Sequence, residues 1–352
     1  MSSQRRIALP ALVGLVIAAT APVLAAPAGA AEVGVSSLAV KFHVKNTDTS
    51  AVQCDSDDAA YDVVGHLTGP SDILRTDLIP AATLYLHGDG VDESFWRYSK
   101  FPGYDYAGEL AERGLVSVTI TRLGYAGSGK PDGDDVCFGS EADVAHQIVG
   151  ALRTGAYQVA GIAQAPHVEK VGLAGHSASG FVAMAEAYSY HDIADLVVVA
   201  SGEYVTPRVP AAVLEQQARC PNSDEDGYAF IEASDAEAAA DFFHDADQAV
   251  VTDVTAHRPK DSCGGLAAAP TSVATDLNKL REVKVPVLVI TGDSDAFFAQ
   301  PEQQAKLFSG SPDATGITLA DTGHAITLGH SAAAFRDKMI AWLTSHGLGG
   351  SS

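Results

Sequence analysis

Basic residues are scarce in this 352-residue chain: 22 Lys and Arg stand against 44 Asp and Glu, a formal net charge of −22. So acidic a surface repels nucleic acid and anionic membranes, and it favours solubility outside the cell. Cysteine is limited to four residues, and no C-x-x-C pair or Cys/His cluster with zinc-like spacing occurs, so no metal site is legible. There is no internal repeat and, past the N-terminal segment, no low-complexity tract, which argues against a repeat architecture. What remains, with 47% hydrophobic and 19% charged residues, is the composition of a soluble globular protein with a substantial core.

The first thirty or so residues read as a processing signal. Arg5 and Arg6 precede an apolar stretch over residues 7–26, and Ala28-Gly29-Ala30 supplies the small-x-small pattern that a signal peptidase reads. A membrane anchor is the competing reading, but Pro10 and Pro22 break the stretch and it ends in a cleavage pattern. The arginine pair suggests twin-arginine export, although Ile7-Ala8-Leu9 matches the rest of that signal poorly. The expectation is a secreted protein, cleaved near Ala30-Ala31. The mature chain then keeps 20 cations and 44 acids, a net −24. All four cysteines lie in it, and an even number in an exported chain suggests two disulfides. Three pairings are possible. Cys54–Cys137 with Cys220–Cys263 is favoured, because the second pair would close a loop within one segment.

Hydrophobic patterning points to alternating strands and helices. Residues 35–44 and 61–67 read as early strands, stopped by Gly69-Pro70. Short buried strands follow at 83–86, 115–121, 170–174, 196–200, 285–291 and, more weakly, 316–319. Helices are predicted over 104–113, 141–160 and from Ser177 to about Tyr190, with a closing helix through Phe335, Met339 and Leu343 that ends at Gly347. This alternation implies an α/β fold with a mostly parallel central sheet and helices on both faces. Residues 202–282 break the rhythm: they hold many Ala, Asp and Glu, two cysteines and no convincing strand. Eighty structureless residues inside a compact domain are implausible, so this segment is expected to form helices of its own, an inserted cap over the strand ends. The expected organisation is a signal peptide at 1–31, a core at 32–201 and 283–352, and the cap at 202–282.

A strand running into Gly175-x-Ser177-x-Ser179-Gly180 and then a helix is the context of a nucleophile elbow. The serine occupies a sharp turn, and its neighbours two positions away must be small to clear the adjoining strand and helix. Ser179 takes the place of the usual trailing glycine. A serine hydroxyl needs a base to remove its proton, and the base needs an acid to fix its tautomer. Gly292-Asp293-Ser294-Asp295 follows the strongest apolar strand, and Thr322-Gly323-His324 follows the next. Strand ends would deliver both to a common crevice.

These residues resemble the α/β-hydrolase superfamily. The superfamily order is serine, acid, histidine, with the acid three residues after a strand-ending glycine. The resemblance implies Ser177 as nucleophile, Asp295 rather than Asp293 as the acid, and His324 as the base. His330 opens the last helix and reads as a surface or capping residue. His87-Gly88-Asp89-Gly90 resembles the oxyanion loop of the superfamily, which implies the N–H groups of Asp89 and Ala178 as oxyanion donors, with Gly90 an alternative. A carboxylate facing an oxyanion would oppose it, so the Asp89 side chain must turn away. Residues 121–128 resemble a further landmark loop, with Thr121 where the usual pattern begins with Asp and Ala126 where it carries Gly. The resemblance covers about residues 83–346.

Other residues carry plainer readings. His87 reads as structural, holding its loop, and His176 as packed under the elbow. Phe95-Trp96 could wall an acyl pocket but read more simply as core. Glu203 and Tyr204, just past a strand end, could face substrate, and Phe242, Phe243 and His244 read as one face of a cap helix. What the resemblance implies is a secreted serine hydrolase acting on a small or medium apolar carboxylic ester or lactone, without metal or organic cofactor. Lipase, peptidase, perhydrolase and acyltransferase chemistry use the same residues, and a non-catalytic binding relative is the competing class. Long-chain lipase activity is disfavoured by the lack of an evident large apolar lid, and a serine at the elbow argues against relatives with an aspartate nucleophile.

Overall fold

The structure, a computed structural model, describes residues 34–349. The secretion signal read at 1–31 lies outside the described residues. Two antiparallel strands open the fold, β1 (Val35–Lys45) and β2 (Ala60–Pro70), with Phe42 opposite Val63. In β1 the alternation is plain: Val40, Phe42 and Val44 are buried between exposed neighbours, the mark of a strand with one face on the core.

The remaining elements follow in chain order. They are β3 (Leu78–Leu86), α1 (Tyr106–Ala111), β4 (Ser117–Ile120), α2 (Phe138–Thr154), a short β5 (Gln158–Val159), β6 (His167–His176), α3 (Ala178–Tyr190) and β7 (Leu196–Val199). Strands β4, β3, β6 and β7 run parallel to one another, and β4 meets β2 antiparallel. The predicted helix at 141–160 begins earlier and ends earlier. Ser140 Oγ accepts the Cys137 N–H at 3.1 Å, which starts α2 at Phe138, and Gly155 at φ 68° stops it.

After β7 the chain leaves the sheet. It forms α4 (Arg208–Arg219), β8 (Tyr228–Ala229), α5 (Asp235–Phe242), α6 (Gln248–Ala256), β9 (Asp261–Ser262), α7 (Cys263–Ala267) and α8 (Ala269–Lys279). It then returns through β10 (Val287–Gly292), α9 (Pro301–Ala305), β11 (Ala314–Leu319) and α10 (Ala332–Ser345). The inserted segment is helical as expected, with one addition. Strands β8 and β9 pair antiparallel over two residues each, too short to leave a periodic signal. Arg208 binds α4 to α5 through Glu237 and Asp241. The structure joins Cys54 to Cys137 and Cys220 to Cys263, the pairing favoured from the sequence.

The nine-stranded sheet runs β11-β10-β7-β6-β3-β4-β2-β1-β5. Its centre reads as unbroken apolar runs: Leu196–Val199 and Val287–Gly292 are buried at every position, because helices cover both faces. This is the α/β-hydrolase architecture.

Candidate active site

Ser177 stands between β6 and α3 at φ 54°, ψ −124°, a strained conformation held by its surroundings. Its N–H donates to the Val199 carbonyl at 3.0 Å, tying the turn to β7. The turn is too tight for side chains: a Cβ at Gly175 would lie 2.0 Å from the Ser179 carbonyl oxygen, and one at Gly180 2.3 Å from Ser201 Oγ. Ser179 is accommodated and has a use. Its hydroxyl donates to the His87 carbonyl at 2.6 Å, fastening the elbow to the loop that follows β3. The serine that departs from the usual motif is therefore a strut.

His324 follows β11 and lies across the crevice. Its Nε2 is 2.9 Å from Ser177 Oγ, and its Nδ1 is 3.1 and 3.0 Å from the two carboxylate oxygens of Asp295. Asp295 is buried, and its Oδ1 also accepts the N–H groups of Phe297 and Phe298 at 2.8 and 3.1 Å. These donors fix the orientation of the carboxylate. Asp293 is exposed and accepts instead from the Ser294 hydroxyl at 3.0 Å. The structure thus brings Ser177, His324 and Asp295 into one hydrogen-bonded line and leaves Asp293 outside it. Rings of Phe242, Phe297 and Phe298 lie 5.6, 4.7 and 5.9 Å from the His324 ring, shielding the pair from water.

The loop after β3 is built on buried charge. The Asp89 carboxylate is held at 2.9 Å by Arg122, whose guanidinium also grips both carboxylate oxygens of Glu141 at 2.7 and 2.6 Å. All three side chains are almost wholly buried. These bonds turn the Asp89 carboxylate toward Arg122 and Tyr125. Among the described residues, neither the Asp89 nor the Ala178 N–H donates to another protein group. The Gly90 N–H is engaged, donating to Asp261 Oδ1 at 2.7 Å. Gly90 itself has φ 71°, and a Cβ there would lie 2.6 Å from the Phe242 ring. Asp261 also accepts from Tyr125 Oη at 2.9 Å, so β9 of the insertion is pinned to this loop. Burial, then the Asp89 charge beside it, pushes the Asp261 carboxyl well above the ordinary carboxylate range.

His87, His176 and His330 make no hydrogen bond to Ser177 Oγ. Burial, then the nearby Arg122 charge, lowers His87 to about 3, so its ring is neutral; it donates to the Gly88 carbonyl and accepts from the Arg122 N–H. His176 stacks on Phe95 at 4.1 Å beneath the elbow, with Nε2 3.1 Å from the His324 carbonyl. His330 is exposed, between Asp245 and Asp247 at 3.1 Å each. Phe95 and Trp96 are core and do not line the Ser177 pocket.

That pocket has a volume of about 480 Å³. Ser177, Ala178 and Asp89 form its floor; Phe138, Phe181, Phe297 and Phe298 come from the core; Val209, Val213, Leu214, Ile231, Phe242, Leu266 and Val273 come from the insertion. Of the wall residues within 202–282, the sequence points to Glu203, as able to face substrate, and to Phe242, as a helix face; the Phe242 ring lies 5.6 Å from that of His324 and packs against Gly90. Two acids also reach the pocket, Glu203 and Glu232, whereas Tyr204 does not. Among the described residues, no cluster of metal-ligating side chains includes Ser177, His324 or Asp295.

The neighbouring acids Glu203 and Asp276 are expected to make stability sensitive to pH. The Glu203 carboxyl faces Asp276 of α8, which also accepts from Tyr188 Oη at 2.7 Å. Burial, then the Asp276 charge, raises Glu203 to about 9; burial raises Asp276 to about 7. Both acids hold protons in the folded state that the unfolded chain releases near pH 4–4.5. Their contribution to stability is therefore full below that range and is lost as pH rises to about 9. Thermal unfolding is expected to show Tm falling between pH 5 and pH 9, and Glu203→Gln is expected to flatten the fall above pH 7. An unchanged slope in the variant would remove Glu203 from the explanation.

Comparison with known proteins agrees with this architecture. The model of a family described as the alpha/beta hydrolase family matches residues 84–338. No curated protein matches the chain. Among solved structures, a thermophilic esterase from Thermogutta terrifontis superposes with a TM-score of 0.59 at 20% identity, covering 87% of this chain and 99% of that one. A protein described as a putative aryl esterase from Burkholderia cenocepacia gives 0.55 at 17%, covering 85% and 99%. The enol-lactonase from Burkholderia xenovorans LB400 gives 0.53 at 17%, covering 81% and 97%. At these identities the likeness is one of fold.

Proposed function

Because the chain belongs to the alpha/beta hydrolase family, we propose that it is an exported serine hydrolase that cleaves carboxylic esters or lactones through an acyl-enzyme. The observation that carries this reading is the 2.9 Å contact from His324 Nε2 to Ser177 Oγ at the floor of an apolar pocket. In the first half-reaction His324 takes the Ser177 proton as Oγ attacks the acyl carbon. Asp295 holds the imidazole with Nδ1 protonated and stabilises the imidazolium that forms. The N–H groups of Asp89 and Ala178 receive the oxyanion. The C–O bond breaks as His324 protonates the leaving alkoxide. Water, deprotonated by the same imidazole, then attacks the acyl carbon, and Ser177 Oγ leaves with the proton.

Residues 202–282 act in this scheme as the cap that shapes substrate specificity, supported by the walls they contribute. Export is supported by the leader pattern at 1–31 and by two disulfides. One observation favours a second reading with longer acyl chains: Leu214 lines the pocket yet is 71% exposed, an apolar residue at the mouth. A panel of p-nitrophenyl esters of graded chain length, γ-lactones and anilides tests both. The proposal expects turnover of esters or lactones well above anilides. A preference for anilides would make the protein an amidase, and a steady rise in kcat/KM through long chains would favour the lipase-like reading.

A further inference from the structure

On the flank of the sheet away from the elbow, three metal-competent side chains converge without a cation. His146 lies on α2, Glu186 on α3 and Asp192 in the connection to β7. One ligand atom of each lies within 4.8 Å of the others. His146 Nδ1 is 3.0 Å from Asp192 Oδ2, and the ring is held flat against Tyr190 at 4.0 Å. Glu186 is completely buried, and both of its carboxylate oxygens lack a hydrogen-bond partner among the described residues. Nine residues separate Glu186 from the Ala178–Ser177 end of α3, about 13 Å along the helix, so this cluster is separate from the pocket.

An unpartnered buried carboxylate is costly, and one aimed at a second carboxylate more so. The cation beside the cluster, Arg153, donates to the Asp192 backbone carbonyl rather than to either carboxylate.

We propose that His146, Glu186 and Asp192 bind a zinc-like divalent cation that locks α2, α3 and the start of β7 together. The donor set selects the ion. One imidazole nitrogen with two carboxylates suits zinc, which accepts three protein ligands and a water, whereas calcium requires six to eight oxygens. Tetrahedral bonds of about 2.0 Å place donors roughly 3.3 Å apart, so the cluster must contract by about an ångström. His146 and Asp192 are already at that spacing. A small movement of Glu186 completes it. The site stabilises; it has no part in turnover.

The test is isothermal titration of the EDTA-stripped full chain with zinc chloride at pH 7.5, beside thermal unfolding with and without zinc. The expected result is one zinc per chain, a rise in Tm of several degrees, and at least a tenfold loss of affinity in His146→Gln and Asp192→Asn. The His146 ring is partly exposed, so His146→Gln keeps the test available where Asp192→Asn fails to fold. X-ray absorption of the zinc complex is expected to show one imidazole among light-atom ligands near 2.0 Å. No saturable zinc binding by the wild type, binding that both variants retain, or calcium binding in place of zinc would each overturn the proposal.

Discussion

Replacement of His324 by alanine is expected to lower kcat/KM for a p-nitrophenyl ester by roughly 10⁴–10⁶-fold, with KM little changed. Without the imidazole, no base among the described residues is hydrogen-bonded to Ser177 Oγ to take its proton. Asp295→Asn tests the same arrangement more finely. Two backbone N–H groups, of Phe297 and Phe298, demand an acceptor from this side chain, so the amide oxygen of Asn would face them. Its NH₂ would then point at His324 Nδ1 and force the proton onto Nε2, the nitrogen that must accept from Ser177. The expected loss is about 10⁴-fold, with the fold intact. A loss below tenfold in either variant would mean that another base serves Ser177.

Arg122→Met is expected to be the most destabilising single change near the site. It would strand Glu141 and Asp89 as unpaired charges in a region where all three side chains are at most 5% exposed. Breaking one partner of such a buried network costs about 3–5 kcal/mol, because the remaining charges keep their desolvation penalty. The same change releases the Asp89 carboxylate beside the N–H groups proposed to hold the oxyanion, so kcat is expected to fall as well. Urea unfolding and ester kinetics on the same preparation measure both. Adding Glu141→Met to Arg122→Met is expected to recover part of the stability but not the kcat. Destabilisation under about 1 kcal/mol would contradict the network's role.

What the sequence revealed and what it hid follow from range. The central strands were legible because Leu196–Val199 and Val287–Gly292 are buried on both faces and so read as unbroken apolar runs. Ser177, Asp295 and His324 were legible as candidates because each lies just past the end of a strand, in the loops after β6, β10 and β11, where local pattern names the position. Ser179 reads from the sequence only as a stand-in for the usual glycine, since its bond to the His87 carbonyl spans 92 residues. Arg122 was read as part of a turn for the same reason: its partners Asp89 and Glu141 lie on different elements. The pocket walls were hidden most fully. Val209, Ile231, Leu266 and Val273 become neighbours only when the insertion folds back on the sheet, and no periodicity records that. The pairing of β8 with β9, two residues each, left equally little trace.

The central claim is that Ser177 is an activated nucleophile open to an electrophile. Exposure of the purified protein to a fluorophosphonate, followed by intact-mass and peptide analysis, tests it most directly. The account predicts one adduct per chain, located on Ser177, lost in Ser177→Ala and strongly slowed in His324→Ala. No adduct on folded protein, or an adduct that persists in Ser177→Ala, would contradict it.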